Sequence, residues 1–535
     1  MPARYNDGCL LSFSRMASTD DHLLLLSDAV DRTLVNPTGS YCWINLMAHT
    51  REITNAALLA QVIAAISNHV ADHGLGGFYR AVFLDVATGD FRHFGRAAAI
   101  LAGLAPRDQD RLTAFFHVVW QRALLYANDR PTFVHNLRTM GLPALAPLIG
   151  YDDDVAPRPR AATALRRVAL VSAELTSPRH PPTRMLLEQA EVLARQGIAV
   201  GLFTCQETMG PDFAHLLGRP PANVPTETAL DAWLAAGPAG AKLAVANHRL
   251  SMVRRWQSLL PHIDAYAPDL VMFIGLHSGL VNTLYRRYPV LGMATNSVQP
   301  MVATDVWLTA QAALHGKQGD FWQAQLPASV AYYHPFRARR RACGAPAARA
   351  TLQIPADAIL MISIGSHLDV KIDGPWADSM CEAMRRHPRL HWLLLGGSGQ
   401  RPRALAEFGD GRVVCMAHVE GAMELMAMSD IYINPPMMGG GLSVTEAMSL
   451  GLPVLSLADC DGGDKLGAAA AGDLPAYFAQ LDIWALDAAA RSAAGAHLRQ
   501  HFAQAIDLDA SGPSLLAACR LAQQRYQRRM TAANS

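Results

Sequence analysis

Three consecutive glycines, Gly439, Gly440 and Gly441, lie between the apolar segment DIYIN and a helix-like segment that begins near Ser443. Glycine lets the backbone approach a ligand closely, and the N-terminus of a helix offers unpaired N–H groups with a partial positive charge. A phosphate group is the ligand that such a loop would suit. The same glycines could also serve only to make a turn, and the triplet alone does not distinguish the two interpretations.

Glu446 follows these glycines in the sequence SVTE and has two candidate roles. In a capping box, Ser443 would cap the helix, and the Glu446 side chain would accept a hydrogen bond from the N–H group of Ser443. In a nucleotide-binding crevice, an acidic side chain accepts hydrogen bonds from the hydroxyl groups of a ribose. The local pattern is compatible with both roles.

The elements that must position these residues are short apolar strands that alternate with helices. The first set contains the predicted strands RVALVSAEL, IAVGLFTC, DLVMFIGLHSG and PVLGMAT, and a helix over TRMLLEQAEVLARQG that ends at Gly197. The second set contains the predicted strands AILMISIG, HWLLLGG, RVVCM, DIYIN and PVLSL. Strand, helix and strand in that order indicate parallel pairs, and nearly continuous apolar strands indicate sheets covered on both faces. We therefore predict an α/β fold with two doubly wound, Rossmann-like domains.

The region before these strands lacks the alternation and predicts an α-helical domain. The segment REITNAALLAQVIAAISNHV carries apolar residues at helical spacing behind a predicted cap at Thr50. The prediction thus divides the chain into an N-terminal tail, the helical domain, an N-terminal and a C-terminal Rossmann-like domain, and C-terminal helices. These five parts are residues 1–20, 21–150, 165–336, 350–490 and 491–535.

Composition and charge exclude several classes of partner. With 46 basic and 45 acidic residues the net charge is +1, so no nucleic-acid partner is implied, and the five arginines of FRARRRACGAPAARA predict a solvent-exposed connector. The eight cysteines form no CxxC pair, so neither a zinc site nor a disulfide framework is predicted. The first residues lack a signal-peptide layout, and no apolar run approaches the roughly 20 residues of a membrane span. We therefore expect a cytoplasmic protein without a transmembrane segment.

The segment NPPMMGGGLSVTEAMSLGLPVLSL resembles the nucleotide-sugar-binding segment of GT-B-fold glycosyltransferases, in particular the large family-4-like group. The family pattern is a strand, then Glu-Gly-x-Gly, four residues, Glu-Ala-Met/Leu and a Gly-x-Pro-Val strand. The resemblance implies that Glu446 binds the donor ribose. It also implies that the N–H groups of Gly440 and Gly441 face the diphosphate or the sugar. It covers about residues 166–500 and is strong over 358–460.

A second segment, GSHLDVK, resembles the family motif Gly-Arg-x-x-x-x-Lys, whose lysine binds the donor pyrophosphate. The resemblance gives this role to Lys371, where a positive charge would stabilise a departing diphosphate. Without the resemblance, Lys371 would be interpreted as an ordinary surface lysine. Ser366, a candidate donor contact, stands where the motif has arginine. A third segment, CMAHVEGAMELMAMSDIYIN, would place His418 and Val419 beside the nucleotide base.

The chain also departs from the family pattern. Met438 stands where the family has its first glutamate, which contacts the donor sugar, so the donor and the usual retention of anomeric configuration stay open. Ser366 removes one phosphate-binding cation, and Ile372 replaces a common glycine. SPRHPPTR, at residues 177–184, replaces the Gly-Gly loop of the N-terminal half.

Histidines are the candidates for the base that an inverting transfer needs. His277 ends a predicted strand in LHSG, next to Ser278 as a further substrate contact, and its unperturbed pKa of about 6.5 suits neutral pH. His180, in the first strand-to-helix loop, is the second candidate. In a retaining reaction His277 would only position the donor sugar, and a purely structural role for it also stays open. The resemblance implies no bound metal.

The sequence therefore predicts a hexosyltransferase-like enzyme with a nucleotide-diphosphate sugar as its donor substrate and no further cofactor. A helical domain before a GT-B pair also occurs in bacterial cytoplasmic adhesin glycosyltransferases. This resemblance of arrangement implies a protein acceptor, docked on the helical domain and the cleft, and a glycan acceptor is the alternative. Two other functions stay open: a catalytically degenerate partner that binds an acceptor or a true transferase, and a nucleotide-sugar epimerase.

Overall fold

The computed structural model describes most of the 535-residue chain, namely residues 19–151, 164–175, 181–208, 241–296, 298–318, 329–366, 368–409, 411–417 and 419–534. This part of the chain forms two compact units. The first contains residues 19–120 and 137–148, and the second contains 121–136, 149–151, 164–175, 181–207 and the described residues from 241 onward. Most of the predicted N-terminal tail and of the predicted first linker lie outside the described residues.

The described chain before residue 150 is helical, as the sequence predicts. Its α-helices are α1 (Thr19–Val35), α2 (Ser40–Thr50), α3 (Ala56–His69), α4 (Gly74–Thr88), α5 (Arg92–Gly103), α6 (Gln109–Leu125), α7 (Arg130–Thr139) and α8 (Leu142–Leu145). The chain passes from the first unit to the second within α6 and returns within α7.

Aromatic side chains fill the centre of the first unit. Trp43, Phe78, Phe83, Phe94 and Phe115 are all fully buried. Phe115 makes edge contacts with Phe78 and Phe94 at ring-centroid distances of 5.7 and 5.9 Å. Because each large ring removes much apolar area from water, these residues form the core that holds the helices of this unit together.

One helix start differs from the prediction. Thr50, the predicted cap, is the last residue of α2. The cap of α3 is Asn55, whose side-chain oxygen accepts hydrogen bonds from the N–H groups of Ala57 and Leu58 at 2.9 and 3.2 Å. Asparagine is among the strongest cap residues, and it satisfies two N–H groups that a helix start otherwise leaves unpaired.

The second unit contains two parallel β-sheets, which confirms the predicted α/β fold class. The strands of the first sheet are β1 (Arg167–Ser172), β2 (Ala199–Thr204), β3 (Lys242–Val245), β4 (Leu270–Ile274), β5 (Val290–Met293), β6 (Val306–Thr309) and β7 (Val330–Tyr333). Their order is β3-β2-β1-β4-β5-β6-β7, and every pair is parallel. The described helices between them are α9 (Pro181–Arg195), α10 (Met252–Tyr266) and α11 (Gly279–Tyr285).

The strand order of the first sheet reverses at β1. β1 pairs with β2 on one side and with β4 on the other, with Val168 opposite Leu270 in the latter pair. At such a reversal the connections that follow the two strands lead away in opposite directions and leave a crevice, which is where doubly wound sheets bind ligands. The loop after β4 carries His277 and Ser278 to this edge.

The second sheet repeats the arrangement with five strands. These are β8 (Ile359–Ile364), β9 (Leu390–Leu395), β10 (Val413–Met416), β11 (Ile431–Ile433) and β12 (Val454–Leu455). Their order is β10-β9-β8-β11-β12, again with every pair parallel. The described helices between them are α12 (Leu368–Lys371), α13 (Gly374–Arg386), α14 (Ala422–Ala427) and α15 (Gly441–Leu450). The order reverses at β8, between β9 and β11.

Helices follow the second sheet to the end of the described chain: α16 (Gly463–Leu466), α17 (Leu474–Leu486), α18 (Ala488–His501) and α19 (Gly512–Asn534). The longest of them, α19, returns to the first sheet, because Leu515 and Ala518 share an apolar cluster with Val168 of β1. The hydroxyl group of Tyr526 also donates to the carbonyl oxygen of Arg287 at 2.9 Å. None of the helices in the described chain is both long and apolar enough to cross a membrane.

Candidate functional site

The reversal point of the second sheet carries two of the predicted binding segments. β8 and β11 are neighbours there, with Met361 opposite Ile431. The chain after β8 leads to Lys371 in α12, and the chain after β11 leads to Gly439–Gly441, which we call the glycine loop. Two segments that are about 70 residues apart in the sequence therefore leave the same edge of one sheet.

The glycine loop adopts a conformation that requires glycine. The φ angles of Gly439 and Gly440 are +130° and +76°, a region that residues with a side chain rarely adopt. Gly440 is the N-cap of α15, and the helix begins at Gly441. The predicted cap at Ser443 is therefore wrong, because Ser443 already lies within the first turn of the helix.

Close packing behind the loop gives a second reason for glycine. A Cβ atom on Gly440 would lie 2.6 Å from the Cε atom of Met437. A Cβ atom on Gly441 would lie 2.7 Å from Asp461 Oδ2 and 3.0 Å from Lys465 Nζ. Lys465 is 4% exposed and donates to Asp461 Oδ1 at 2.9 Å. A buried ion pair thus lies directly against the start of α15, and the sequence analysis did not identify it.

Glu446 faces arginines that the sequence analysis did not assign to the site. Its Oε1 atom accepts hydrogen bonds from Arg184 Nη1 and Nη2, both at 3.1 Å, and from Arg341 Nη1 at 3.1 Å. Arg184 lies on α9 of the first sheet, and Arg341 lies in the connector between the two sheets. Because Ser443 is not a cap, the capping-box interpretation of Glu446 is wrong. The carboxylate joins the two halves of the second unit.

Lys371 is buried and is not an ordinary surface lysine. Lys371 is 9% exposed. Its Nζ atom donates to the carbonyl oxygen of Ala127 at 2.6 Å and to Asn128 Oδ1 at 3.4 Å. Burial lowers the pKa of Lys371 to about 8, because an ammonium group loses hydration when it leaves water. Both partners carry no formal charge, so they offset this loss only in part.

The segment that faces Lys371, residues 127–130, is attached to the second sheet at several points. The N–H group of Met438 donates to Ala127 O at 3.3 Å, and the thiol of Cys460 donates to Asn128 O at 3.2 Å. The N–H group of Arg130 donates to Asp459 O at 2.8 Å, and its guanidinium group pairs with Asp464. Two successive carbonyl oxygens of this segment therefore accept hydrogen bonds from groups that surround the glycine loop.

The loop after β4 is held by a buried carboxylate. Glu207 is fully buried and accepts hydrogen bonds from the hydroxyl group of Ser278 at 2.9 Å, the N–H groups of Gly279 and Leu280 at 3.1 Å each, and the indole N–H of Trp256 at 3.0 Å. A carboxylate oxygen of Glu207 also lies within 4.8 Å of a ring nitrogen of His277. His277 and Ser278 are each 1% exposed. The sequence analysis placed both on this loop but missed Glu207.

Four further residues were predicted to contact the substrate, and the structure describes two of them. Ser366 is exposed, and Val419 is half-buried beside an apolar cluster of the second sheet. His180 and His418 lie outside the described residues. The role of each of these four residues stays a prediction.

The connector between the two sheets is not simply solvent-exposed, so that prediction is wrong. Arg337 is 5% exposed, and burial lowers its pKa to about 10. Arg339 pairs with Glu191 of α9, and Arg349 donates to Asp430 Oδ2 at 2.8 Å. The arginine run was visible in the sequence, but its acidic partners are distant in the chain.

A family model described as glycosyl transferases group 1 matches residues 375–485, which include the glycine loop and Glu446. The match confirms the resemblance found in the sequence. The two successive parallel sheets have the fold of GT-B glycosyltransferases, and a helical region precedes them in the chain.

Among solved structures, a mutant O-GlcNAc transferase of Thermobaculum terrenum is similar over 95% of each chain, with a TM-score of 0.59 and 15% identity. A glycosyltransferase from Rickettsia africae ESF-5 is similar over 67% of this chain and 98% of that chain, with a TM-score of 0.45 and 11% identity. The first likeness supports the shared fold, and the second score is too low to add to it. No curated protein sequence matches the chain.

Proposed function

We propose that the chain is a glycosyltransferase that moves a sugar from a nucleotide-diphosphate sugar to an acceptor, either a protein or a glycan, in the cytoplasm. One observation carries the proposal: the glycine loop and Lys371 leave the same reversal point of the second sheet, and Glu446 lies on the helix that the loop starts. Doubly wound sheets bind nucleotides at such reversal points. The match to the glycosyl transferases group 1 model supports the same class.

Lys371 is proposed to bind the donor diphosphate. An ammonium group has three protons, and Ala127 O and Asn128 Oδ1 take two of them at 2.6 and 3.4 Å, so a phosphate oxygen can accept from the third. When the bond between the sugar and the β-phosphate breaks, its electron pair leaves with the nucleoside diphosphate. Lys371 stabilises the negative charge that grows there. The N–H groups of the first turn of α15, which have no partner within the helix itself, act in the same direction. No metal ion is needed for the leaving group in this proposal.

Glu446 is proposed to accept hydrogen bonds from the donor ribose. In the structure its Oε1 atom faces Arg184 and Arg341, so these guanidinium groups share the carboxylate with the incoming hydroxyl groups. They also bring positive charge to the site, where Ser366 replaces the arginine of the family motif. The two arginines are therefore proposed donor-site residues, although the sequence analysis did not select them.

His277 is proposed as the base of an inverting transfer. The acceptor oxygen would form its bond to the anomeric carbon while its proton moves to an imidazole nitrogen. A carboxylate oxygen of Glu207 lies within 4.8 Å of a ring nitrogen of His277, so its negative charge lies beside the proposed base. Ser278 fixes Glu207 from the same loop, so it positions the base as well as offering a substrate contact.

A melting-temperature screen tests the proposal. The chain is heated with UDP, GDP, ADP, TDP and CMP and with their sugar conjugates, in EDTA, as wild type, Lys371→Ala and Lys317→Ala. Lys317 is an exposed lysine of the same unit and serves as the control. A ligand at 100 times its dissociation constant adds about 2.7 kcal/mol to the free energy of unfolding, which gives a visible shift.

The expected result is a shift with one nucleoside diphosphate that Lys317→Ala keeps and Lys371→Ala loses. Transfer by Lys371→Ala should fall about 10²-fold, as for removal of one charge stabiliser. No shift with any nucleotide in the wild type would contradict the proposal.

The degenerate-partner function is the second candidate, and Met438 favours it. Met438 replaces the family glutamate, is 4% exposed, and donates its N–H group to Ala127 O. A nucleotide-induced shift without transfer of the sugar to any acceptor or to water would support this candidate over the enzyme.

A further inference from the structure

A cluster of imidazole and carboxylate groups lies in the first unit, where none of the proposed donor-site residues occurs. His22 is in the first turns of α1, His49 is in the last turn of α2, and Glu52 follows α2 in the next turn. His22 Nδ1 lies 3.5 Å from Glu52 Oε2, and the two imidazole ring centroids are 5.7 Å apart with a 63° angle between the planes. Each residue offers one ligand atom, and these three atoms lie within 4.8 Å of one another.

Partial exposure of two of the three side chains leaves this cluster open to a ligand. The side chains of His22 and Glu52 are 29% and 54% exposed, which gives a hydrated ion a path to the cluster.

The backbone that carries the three residues is well defined by its own contacts. α1 and α2 form a helical hairpin, and at its closed end the hydroxyl group of Thr33 donates to the carbonyl oxygens of Ala29 and Cys42 at 2.8 and 3.3 Å. The indole N–H of Trp43 donates to Pro37 O at 2.9 Å. The cluster lies at the opposite, open end of this hairpin, where His22 of α1 and His49 of α2 are in ring contact.

The chemistry of the three side chains selects the kind of ion. Imidazole nitrogen and carboxylate oxygen together suit Zn²⁺ and its neighbours in the first transition row, whereas Mg²⁺ and Ca²⁺ prefer oxygen ligands alone. In a tetrahedral zinc site with bonds of about 2.0–2.1 Å, ligand atoms lie about 3.4 Å apart. The 3.5 Å separation of His22 Nδ1 and Glu52 Oε2 matches this spacing.

We propose that His22, His49 and Glu52 bind one Zn²⁺ ion, with water as the fourth ligand, and that the ion joins the open end of the α1–α2 hairpin. Three protein ligands with one open position are a known zinc arrangement. The ion would act on the helical unit as a cross-link that folding must form, because the ligands come from two separate elements.

The test uses the full chain without a histidine tag, stripped of metal with EDTA and dialysed. ZnCl2, CoCl2 and MgCl2 are added to the wild type and to His22→Gln, His49→Gln and Glu52→Gln. His69→Gln is the control, since His69 is an exposed histidine on α3 of the same unit. Melting temperature, bound zinc per chain and the visible absorption of bound Co²⁺ are measured.

The expected result is one zinc per chain, a raised melting temperature and Co²⁺ absorption in the wild type and in His69→Gln, with no shift from Mg²⁺. All three cluster variants should lose these effects. The Glu52 side chain is more than half exposed, so Glu52→Gln should fold like the metal-free wild type. If a histidine variant unfolds, Glu52→Gln still tests zinc binding in a folded chain. Absence of zinc binding in the wild type, or equal binding in Glu52→Gln, would overturn the proposal. Nucleotide-induced shifts in the same variants should be unchanged, which separates this result from the proposed transfer activity.

Discussion

A buried charge lies at the reversal point of each sheet. The two charges are opposite in sign, and they differ in how many hydrogen-bond partners the fold provides. At the first sheet, the negative charge of Glu207 is surrounded by four hydrogen-bond donors that are fixed by the fold. At the second sheet, the positive charge of Lys371 faces two uncharged oxygens. A charge whose hydrogen bonds are complete holds a loop in place. A charge with incomplete partners is available to a ligand, so the second edge is the one suited to bind an anion.

The largest effect should come from removing the complete set of hydrogen bonds. Glu207→Ala leaves Trp256, Ser278 and the two N–H groups of the loop without their acceptor. Because hydrogen bonds to a charged group contribute about 1.5–3 kcal/mol each, the free energy of unfolding should fall by at least about 3 kcal/mol. Urea denaturation measures it. Glu382→Ala is the control, since the Glu382 side chain is 69% exposed and its loss should change stability by less than about 0.5 kcal/mol. A loss of less than about 1 kcal/mol in Glu207→Ala would show that the two edges do not differ in this way.

The incomplete partners of Lys371 predict a pH dependence. Its pKa of about 8 lies below the usual value of 10.5, so the folded chain binds fewer protons than the unfolded chain between these values. The free energy of unfolding therefore gains from Lys371 as pH rises from 8 to 10.5. Nucleotide binding should change in the opposite direction, because a diphosphate needs the ammonium form. At pH 9 about a tenth of Lys371 is protonated, and the affinity for the nucleoside diphosphate should be about tenfold lower than at pH 7.

Calorimetric titration from pH 7 to 9.5 checks this expectation. Lys371→Met removes the titrating group, so its weaker affinity should stay flat over the same range. An equally steep fall in the variant would assign the pH dependence to another group.

A smaller effect is expected at Glu446, and it distinguishes the two carboxylates that contact Arg184, Glu446 and Glu188. Glu446→Gln should weaken nucleotide binding by about tenfold, or about 1.4 kcal/mol, because the proposed contact with the ribose loses its charged acceptor. Glu188→Gln is a matched control: Glu188 Oε1 lies 3.4 Å from the same Arg184, but Glu188 is on α9 and not on the helix of the glycine loop. The control should keep the affinity of the wild type. Equal losses in both variants would assign the effect to the charge of Arg184 rather than to the ribose contact.

Nine of the twelve described strands were predictable because strands follow from local patterns, whereas β3, β6 and β7 and the order of the strands in each sheet were not predicted. Apolar runs such as AILMISIG predicted β8, and the observed strand Ile359–Ile364 differs by one residue at each end. The helix-ending role of Gly197 was also predicted, and this residue follows α9 with φ of +75°. These features depend on side-chain periodicity and on the conformational range of single residues, which the sequence displays directly.

The partners within the candidate site were not predictable in the same way. Lys371 is 244 residues from Ala127, and Glu446 is 262 residues from Arg184. No local pattern encodes a contact with a backbone carbonyl so far away. The start of α15 was mispredicted for a different reason: SVTE has the composition of a capping box, but the left-handed conformation of Gly440 begins the helix earlier.

The carbonyl oxygen of Ala127 has a consequence for any anion that binds Lys371. Because Ala127 and Lys371 belong to the same chain, this oxygen is present near the ammonium group at a fixed effective concentration, however dilute the protein is. A phosphate oxygen that needs the proton now given to Ala127 must displace an intramolecular competitor, and its apparent affinity is lowered by the strength of that contact. When the phosphate leaves, the carbonyl returns without diffusion. Residues 127–130 can thus limit how tightly a reaction product is held and favour its release.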